Sequence, residues 1–124
     1  MSKKLAWTGR ALSWLTGLFV LTSGLNVLFF RSDDLREGFA KFGYPENVMP
    51  TIGVCAFGAA LLYLIPRTSI LGAILLTGYL GGAVATHVRV NDPAFIAPLV
   101  VGMLVWLGLF LRQEPIRSLL PLQR

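Results

Sequence analysis

The sequence predicts an all-α fold, a transmembrane four-helix bundle with a short amphipathic outer-surface helix between spans one and two. Of the 124 residues, 55% are hydrophobic and only 14% are charged, and the mean hydropathy is +0.68. A soluble domain usually carries about 25% charged residues. The apolar residues are gathered into four long stretches, so we expect a single transmembrane domain that comprises residues 1–124.

The four apolar stretches are the predicted spans, and each is long enough to cross a membrane. They lie approximately at residues 11–30, 48–65, 70–88 and 95–111. At ~1.5 Å per residue they reach about 25–30 Å, which is close to the thickness of a hydrocarbon layer. Each span must be helical, because lipid offers no water to satisfy the backbone. A soluble bundle would show a polar stripe on every helix, and these segments lack one.

Between spans one and two, residues 32–44 predict a short amphipathic helix. Its apolar residues recur at helical spacing and are Leu35, Phe39 and Phe42. Charged residues separate them, which is typical of a helix that lies on a membrane surface. Asp34 and Glu37 have the spacing of a capping box. Gly43 suits the position that follows a helix end.

The distribution of basic residues predicts the orientation of the chain. Four spans place both ends on one side, which carries seven basic residues: Lys3, Lys4, Arg10, Arg67, Arg112, Arg117 and Arg124. The opposite side carries four: Arg31, Arg36, Lys41 and Arg89. Because the positive-inside rule counts basic residues, we expect a multi-pass protein of the bacterial inner membrane with both termini cytoplasmic. Trp7 and Tyr63 then lie near the inner boundary and are predicted as interfacial anchors.

Charge and motif content limit the partners and the chemistry. In so hydrophobic a chain, a net charge of +5 favours contact with anionic lipid over nucleic acid. Membrane lipid is therefore the expected partner, together with another membrane subunit or a second copy. Cys55 is the single cysteine and is predicted to be structural. No phosphate-binding loop, nucleophile elbow, metal-binding histidine pair or Cys-x-x-Cys motif occurs, so we predict neither a metal site nor an autonomous enzyme.

One ionisable residue lies within the predicted spans. No lysine, arginine or carboxylate occurs there, which argues against a proton-driven exporter and against a channel with charged rings. In one interpretation His87, at the outer end of span three, is a proton relay, a hydrogen-bond partner of a quinone, or a ligand to a metal or haem. In the other it is an interfacial histidine bonded to a loop. The functional interpretation places His87 in an outer polar cluster with Asn26, Glu46 and Arg89. For Glu46, a role in helix capping is an alternative explanation.

Span three is rich in small residues. Gly78 and Gly82 form a GxxxG pattern, which predicts close helix packing. Tyr79 shares a face with Gly82 and Thr86, and its hydroxyl needs a partner. Tyr79 and Thr86 are therefore predicted either to line a narrow cavity or to form an interhelical hydrogen bond.

Several short motifs recur near the helix ends and along span three. They are Gly43-Tyr44-Pro45-Glu46, Ile65-Pro66-Arg67-Thr68, Leu71–Ala83 and Ala85–Arg89. Together they resemble the DoxX-like family of small bacterial membrane proteins. The resemblance implies a four-helix bundle similar to the DoxX and DoxD subunits that are linked to thiosulfate:quinone oxidoreductase. It therefore implies a quinone as the candidate cofactor.

Three functional hypotheses follow from these features. The first is an accessory or quinone-interacting subunit of a membrane redox system, with a quinone pocket beside His87. The second is a transporter or binding protein for a small lipophilic molecule, because uncharged spans suit such a ligand. The third is a structural partner of another membrane protein, which would contact the face of span three that carries Gly78 and Gly82.

Overall fold

A computed structural model gives the fold of residues 3–122, and every regular element within them is a helix. The helices are α1 (Lys3–Leu25), α2 (Asp33–Lys41), α3 (Met49–Leu64), α4 (Ser69–Arg89), α5 (Ile96–Arg112) and α6 (Glu114–Leu119). A π-helical turn, Asn26–Phe30, extends α1, and short 3₁₀ turns precede α3, α4 and α5. Within this part of the chain four helices are long and apolar enough to cross a membrane. The predicted all-α four-helix bundle is confirmed.

The four long helices form a ring. Both α1 and α4 pack against α3 and α5, so α1 and α4 lie diagonally opposite each other. The start of α1, the turn between α3 and α4, and α6 share one end of the bundle, which we call the terminal end. Helix α2 lies at the other end, which we call the α2 end.

Most large apolar side chains of the spans face outward. Only 22–33% of the residues in the most apolar window of each span are buried within the chain. Trp14, Leu15 and Phe19 of α1, for example, are more than half exposed. In water such a surface would cause aggregation, whereas in lipid it is the expected one. The chain is therefore a multi-pass membrane protein.

Tyr63 lies in the core rather than at the membrane interface. It is 1% exposed, its hydroxyl donates to the carbonyl of Val105 at 2.7 Å, and the hydroxyl of Ser13 lies 3.0 Å away. The predicted anchoring role of Tyr63 is wrong, because the bundle interior offers its hydroxyl two partners. Trp7, by contrast, is 65% exposed and stacks with Arg10 at 5.1 Å.

The amphipathic helix α2 begins and ends on short-range signals. Ser32 is its N-cap and accepts a hydrogen bond from the backbone N–H of Leu35 at 3.3 Å. The predicted capping box at Asp34 and Glu37 is therefore wrong, because the helix begins earlier. Gly43 follows the helix with φ +87°, a conformation that glycine adopts without strain, as expected.

Candidate functional site

A cavity of about 800 Å³ lies between α3 and α4 and is open on its outer side, where Val54, Cys55 and Gly78 are exposed; we call it the α3/α4 cavity. Helix α3 contributes Thr51, Ile52, Val54, Cys55, Gly58, Ala59 and Leu62. Helix α4 contributes Leu75, Gly78, Tyr79, Gly82, Ala83, Thr86 and His87. These residues recur at spacings of three and four, so each helix presents one continuous face to the cavity. Phe39, Phe42 and Tyr44 complete the lining at the α2 end.

Glycines create much of this space. A Cβ atom built on Gly58, Gly78 or Gly82 would meet no neighbouring atom within 4 Å. At Gly72, nearer the terminal end of α4, a Cβ atom would instead lie 2.1 Å from the backbone nitrogen of Tyr63. Helices α3 and α4 therefore touch near the terminal end, whereas open space lies beside the glycines nearer the α2 end. The close packing predicted at Gly78 and Gly82 is not found within residues 3–122. Helices α3 and α4 pack closely at Gly72 instead.

The polar groups of the cavity lie toward the α2 end. The hydroxyls of Tyr44 and Thr86 are hydrogen-bonded to each other at 2.7 Å. The Tyr79 hydroxyl, with Tyr44 and Cys55 as neighbours, has no hydrogen-bond partner among residues 3–122. The terminal half of the lining is apolar and includes Leu62. Among residues 3–122, no aspartate, glutamate, lysine or arginine lines the cavity. It is thus an uncharged space with polar groups at one end.

His87 borders the cavity at its α2 end and is half-buried. Its Nδ1 lies 2.7 Å from the carbonyl oxygen of Ala83, one turn earlier on α4. Because a carbonyl only accepts hydrogen bonds, Nδ1 carries a proton, so Nε2 is an acceptor whenever the ring is neutral. The ring also packs on Phe42, with centroids 4.6 Å apart. His87 is therefore bonded to its own helix, and its Nε2 forms no hydrogen bond within residues 3–122.

The four residues predicted as an outer polar cluster share the α2 end. They are Asn26, Glu46, His87 and Arg89. Within residues 3–122 no hydrogen bond or ion pair joins any two of them. Glu46 pairs with Nε of Arg36 at 3.0 Å, and Arg89 donates to the carbonyl of Phe42. Asn26 is exposed in the π-helical turn. Of these four residues, only His87 lines the cavity.

These pairings hold α2 over the cavity. The pair of Arg36 and Glu46 joins α2 to the start of α3, and the bond from Arg89 to Phe42 joins the end of α2 to the end of α4. Tyr44, which follows α2, is bonded to α4 as well. Phe39 is thereby placed in the lining. Helix α2 is therefore a roof over the α2 end of the cavity.

A second groove of about 750 Å³, the α4/α5 groove, lies on the other side of α4. Helices α4, α5 and α6 line it, and its surface is almost entirely apolar. The Trp106 indole N–H donates to the Thr77 hydroxyl at 2.7 Å, so these polar groups already have partners. The α3/α4 cavity is therefore the site at which a ligand would find an unpartnered polar group.

Comparison with known proteins places the chain in a family. The model of the DoxX-like family matches residues 11–108, which include α2, α3, α4 and every residue that lines the α3/α4 cavity. Neither the comparison with curated proteins nor that with solved structures found a match. The match covers most of the chain and agrees with the resemblance seen in its motifs. The chain belongs to the DoxX-like family.

Proposed function

We propose that this protein binds a neutral lipophilic small molecule with a hydrogen-bonding head group in the α3/α4 cavity. The observation that carries the proposal is the Tyr79 hydroxyl, which has no hydrogen-bond partner within residues 3–122 and lies in a cavity of about 800 Å³. This volume falls in the range of small-molecule sites, which is roughly 300–1,000 Å³. The Tyr79 hydroxyl forms no hydrogen bond within residues 3–122, so a ligand that accepts from it gains one hydrogen bond, worth about 0.5–1.5 kcal/mol.

The lining favours a neutral ligand over a charged one. A charged molecule would lose its hydration on entering, and no charged side chain lines the cavity to compensate. The Tyr79 hydroxyl offers a donor, and Nε2 of His87 offers an acceptor when the ring is neutral. The apolar walls toward Leu62 and Leu75 suit a hydrocarbon tail. An alcohol, a phenol or a quinone with an apolar tail combines these features.

A membrane quinone is the member of this class that we place first. Its two carbonyl oxygens accept hydrogen bonds, so one of them can accept from Tyr79, and its isoprenoid tail is apolar. The reduced form carries hydroxyls, which can donate to Nε2 of His87. The role of an accessory, quinone-interacting subunit, which the family resemblance implies, is a specific case of this proposal. Transport of the same class of molecule is another.

Replacing Tyr79 with phenylalanine tests the head-group contact. In nanodiscs of neutral lipid, we expect a short-tailed benzoquinone to raise the melting temperature of the wild-type protein. Tyr79→Phe should weaken this binding roughly 3- to 10-fold, because one hydrogen bond of about 0.5–1.5 kcal/mol is lost. Tyr44→Phe is the matched control and should cause a smaller loss, since its hydroxyl is already bonded to Thr86.

Two results would contradict the proposal. One is the absence of any shift of the wild-type melting temperature by the benzoquinone, by an alkylphenol and by a fatty alcohol. The other is equal affinity of wild type and Tyr79→Phe for all three. A saturated hydrocarbon of the same length lacks a head group, so it should bind both proteins equally weakly.

A partner helix is the alternative occupant of the cavity. The observation that favours it is the open space beside Gly78 and Gly82, since small residues let helix backbones approach closely in membranes. The helix would come from another membrane subunit or from a second copy of this chain. Such a partner would compete with the lipophilic ligand for the same space.

We also propose that the protein lies in the bacterial inner membrane with both termini cytoplasmic. Six basic residues of the described chain lie at or near the terminal end: Lys3, Lys4, Arg10, Arg67, Arg112 and Arg117. Arg124, the seventh in the sequence count, lies outside the described residues. A green fluorescent protein fused after residue 124 should fluoresce, and alkaline phosphatase fused there should be inactive. An active phosphatase fusion with a dark fluorescent fusion would contradict this orientation.

A further inference from the structure

Arg112, the last residue of α5, has an unusual environment. Its Nε is buried without a hydrogen-bond partner among residues 3–122. Its guanidinium carbon lies 6.0 Å from the centre of the Tyr63 ring, at the edge of the core. The other guanidinium nitrogens have no acceptor within the described chain either. The Nε atom is thus buried without an acceptor in the described chain, whereas the two terminal nitrogens are not buried and remain accessible to an anion from outside the chain.

A second arginine lies beside it. A Cβ atom on Gly9 would lie 2.8 Å from the carbonyl oxygen of Gly108 and 3.0 Å from the nitrogen of Arg112, so α1 crosses α5 at this point. Arg10 is the next residue of α1, and its positive charge acts on Arg112. Two neighbouring positive charges repel each other. An anion that contacts both would reduce this repulsion.

No carboxylate within residues 3–122 forms an ion pair with Arg10 or Arg112. The ion pairs within residues 3–122 lie at the α2 end, and both involve Arg36. Glu114 is the acidic residue nearest in sequence to Arg112, and it forms no ion pair there. Within residues 3–122, therefore, no ion pair supplies a counter-charge at the terminal end.

We propose that Arg10 and Arg112 bind a phosphate group at the terminal end of the bundle, and that an anionic membrane phospholipid carries it. A guanidinium matches phosphate geometry through paired N–H donors. Arg10 immediately precedes the predicted span 11–30, and Arg112 immediately follows the predicted span 95–111. The exposed Trp7 ring beside Arg10 is typical of the head-group level. This site is separate from the α3/α4 cavity and does not depend on its ligand.

Lipid retention tests the site. Wild-type protein is reconstituted with equal amounts of phosphatidylglycerol and phosphatidylcholine, and native mass spectrometry measures which lipid stays bound. We expect wild type to retain phosphatidylglycerol preferentially. Arg112→Gln and Arg10→Gln should each lower this preference about fivefold, which corresponds to the attraction of one basic residue near an anionic surface. Arg67→Gln removes an exposed charge near the same end and should leave the preference unchanged.

Separate controls test whether the variants fold and whether free phosphate binds in place of lipid. In neutral detergent Arg112→Gln should melt no lower than wild type, because it loses an unpartnered charge, and phosphatidylglycerol should raise the melting temperature of wild type alone. Arg10→Gln alters an exposed side chain, so it tests the site even if Arg112→Gln misfolds. Equal losses in Arg67→Gln and Arg112→Gln overturn the proposal. Displacement of phosphatidylglycerol by millimolar inorganic phosphate overturns the assignment to lipid.

Discussion

Replacing Gly72 with alanine should strongly destabilise the bundle, and replacing it with leucine should prevent folding. A Cβ atom at this position would lie 2.1 Å from the nitrogen and 2.4 Å from the Cα of Tyr63. Both are backbone atoms, so no side chain can move aside. Separating α3 from α4 would also pull Tyr63 away from Ser13 and Val105. We expect a loss on the order of 3 kcal/mol for Gly72→Ala, measured as the change in thermal unfolding in detergent.

The same helix supplies the control. Gly78→Ala and Gly82→Ala place a Cβ atom in open space, so neither introduces a clash. Alanine is also favoured over glycine within a helix by up to about 1 kcal/mol. Both variants should therefore melt at or slightly above the wild-type temperature. A Gly72→Ala protein that melts like Gly82→Ala would show that α3 and α4 do not touch there.

The sequence predicts the class of fold because the membrane restricts it strongly. Spans must be helical and about 20 residues long, so stretches such as residues 11–30 can be recognised as spans from the sequence. The sequence does not predict which faces of the helices meet. Gly72 and Gly82 lie on one helix in similar apolar surroundings, yet one contacts backbone and the other faces open space. Tyr63 illustrates the same limit, because its position near a predicted boundary did not reveal the buried partners of its hydroxyl.

The candidate site was predictable only in part. Tyr79, Thr86 and His87 share the cavity, and their spacing on span three already placed polar groups among small residues. The roof formed by α2 was not predictable, because the apolar face of an amphipathic helix fits a membrane surface as well as it fits a cavity. The pair of Arg36 and Glu46 depends on the fold of the connecting loop. Local sequence patterns cannot specify such contacts.

Replacing Gly82 with leucine should abolish ligand binding while it preserves the fold. The new side chain would enter the α3/α4 cavity, where no neighbouring atom lies within 4 Å of the Cβ position. It would occupy the space beside Tyr79 that the head group of the ligand requires. We expect affinity for the short-tailed benzoquinone to fall by more than about tenfold, or 1.4 kcal/mol. Titration in nanodiscs, with thermal unfolding measured in parallel, checks both parts of this expectation.

Gly81→Leu is a closely matched control for this experiment. Gly81 is adjacent on α4 and also has open space at its Cβ position, but it lines the α4/α5 groove instead. Binding that survives Gly81→Leu and is lost in Gly82→Leu assigns the ligand to the α3/α4 cavity. Binding that is lost in Gly81→Leu and survives Gly82→Leu assigns the ligand to the α4/α5 groove and contradicts the proposed function. If wild type binds no lipophilic ligand and Gly82→Leu instead abolishes association with a partner or a second copy, the cavity holds a helix. The side of α4 on which a leucine abolishes binding thus identifies the binding site.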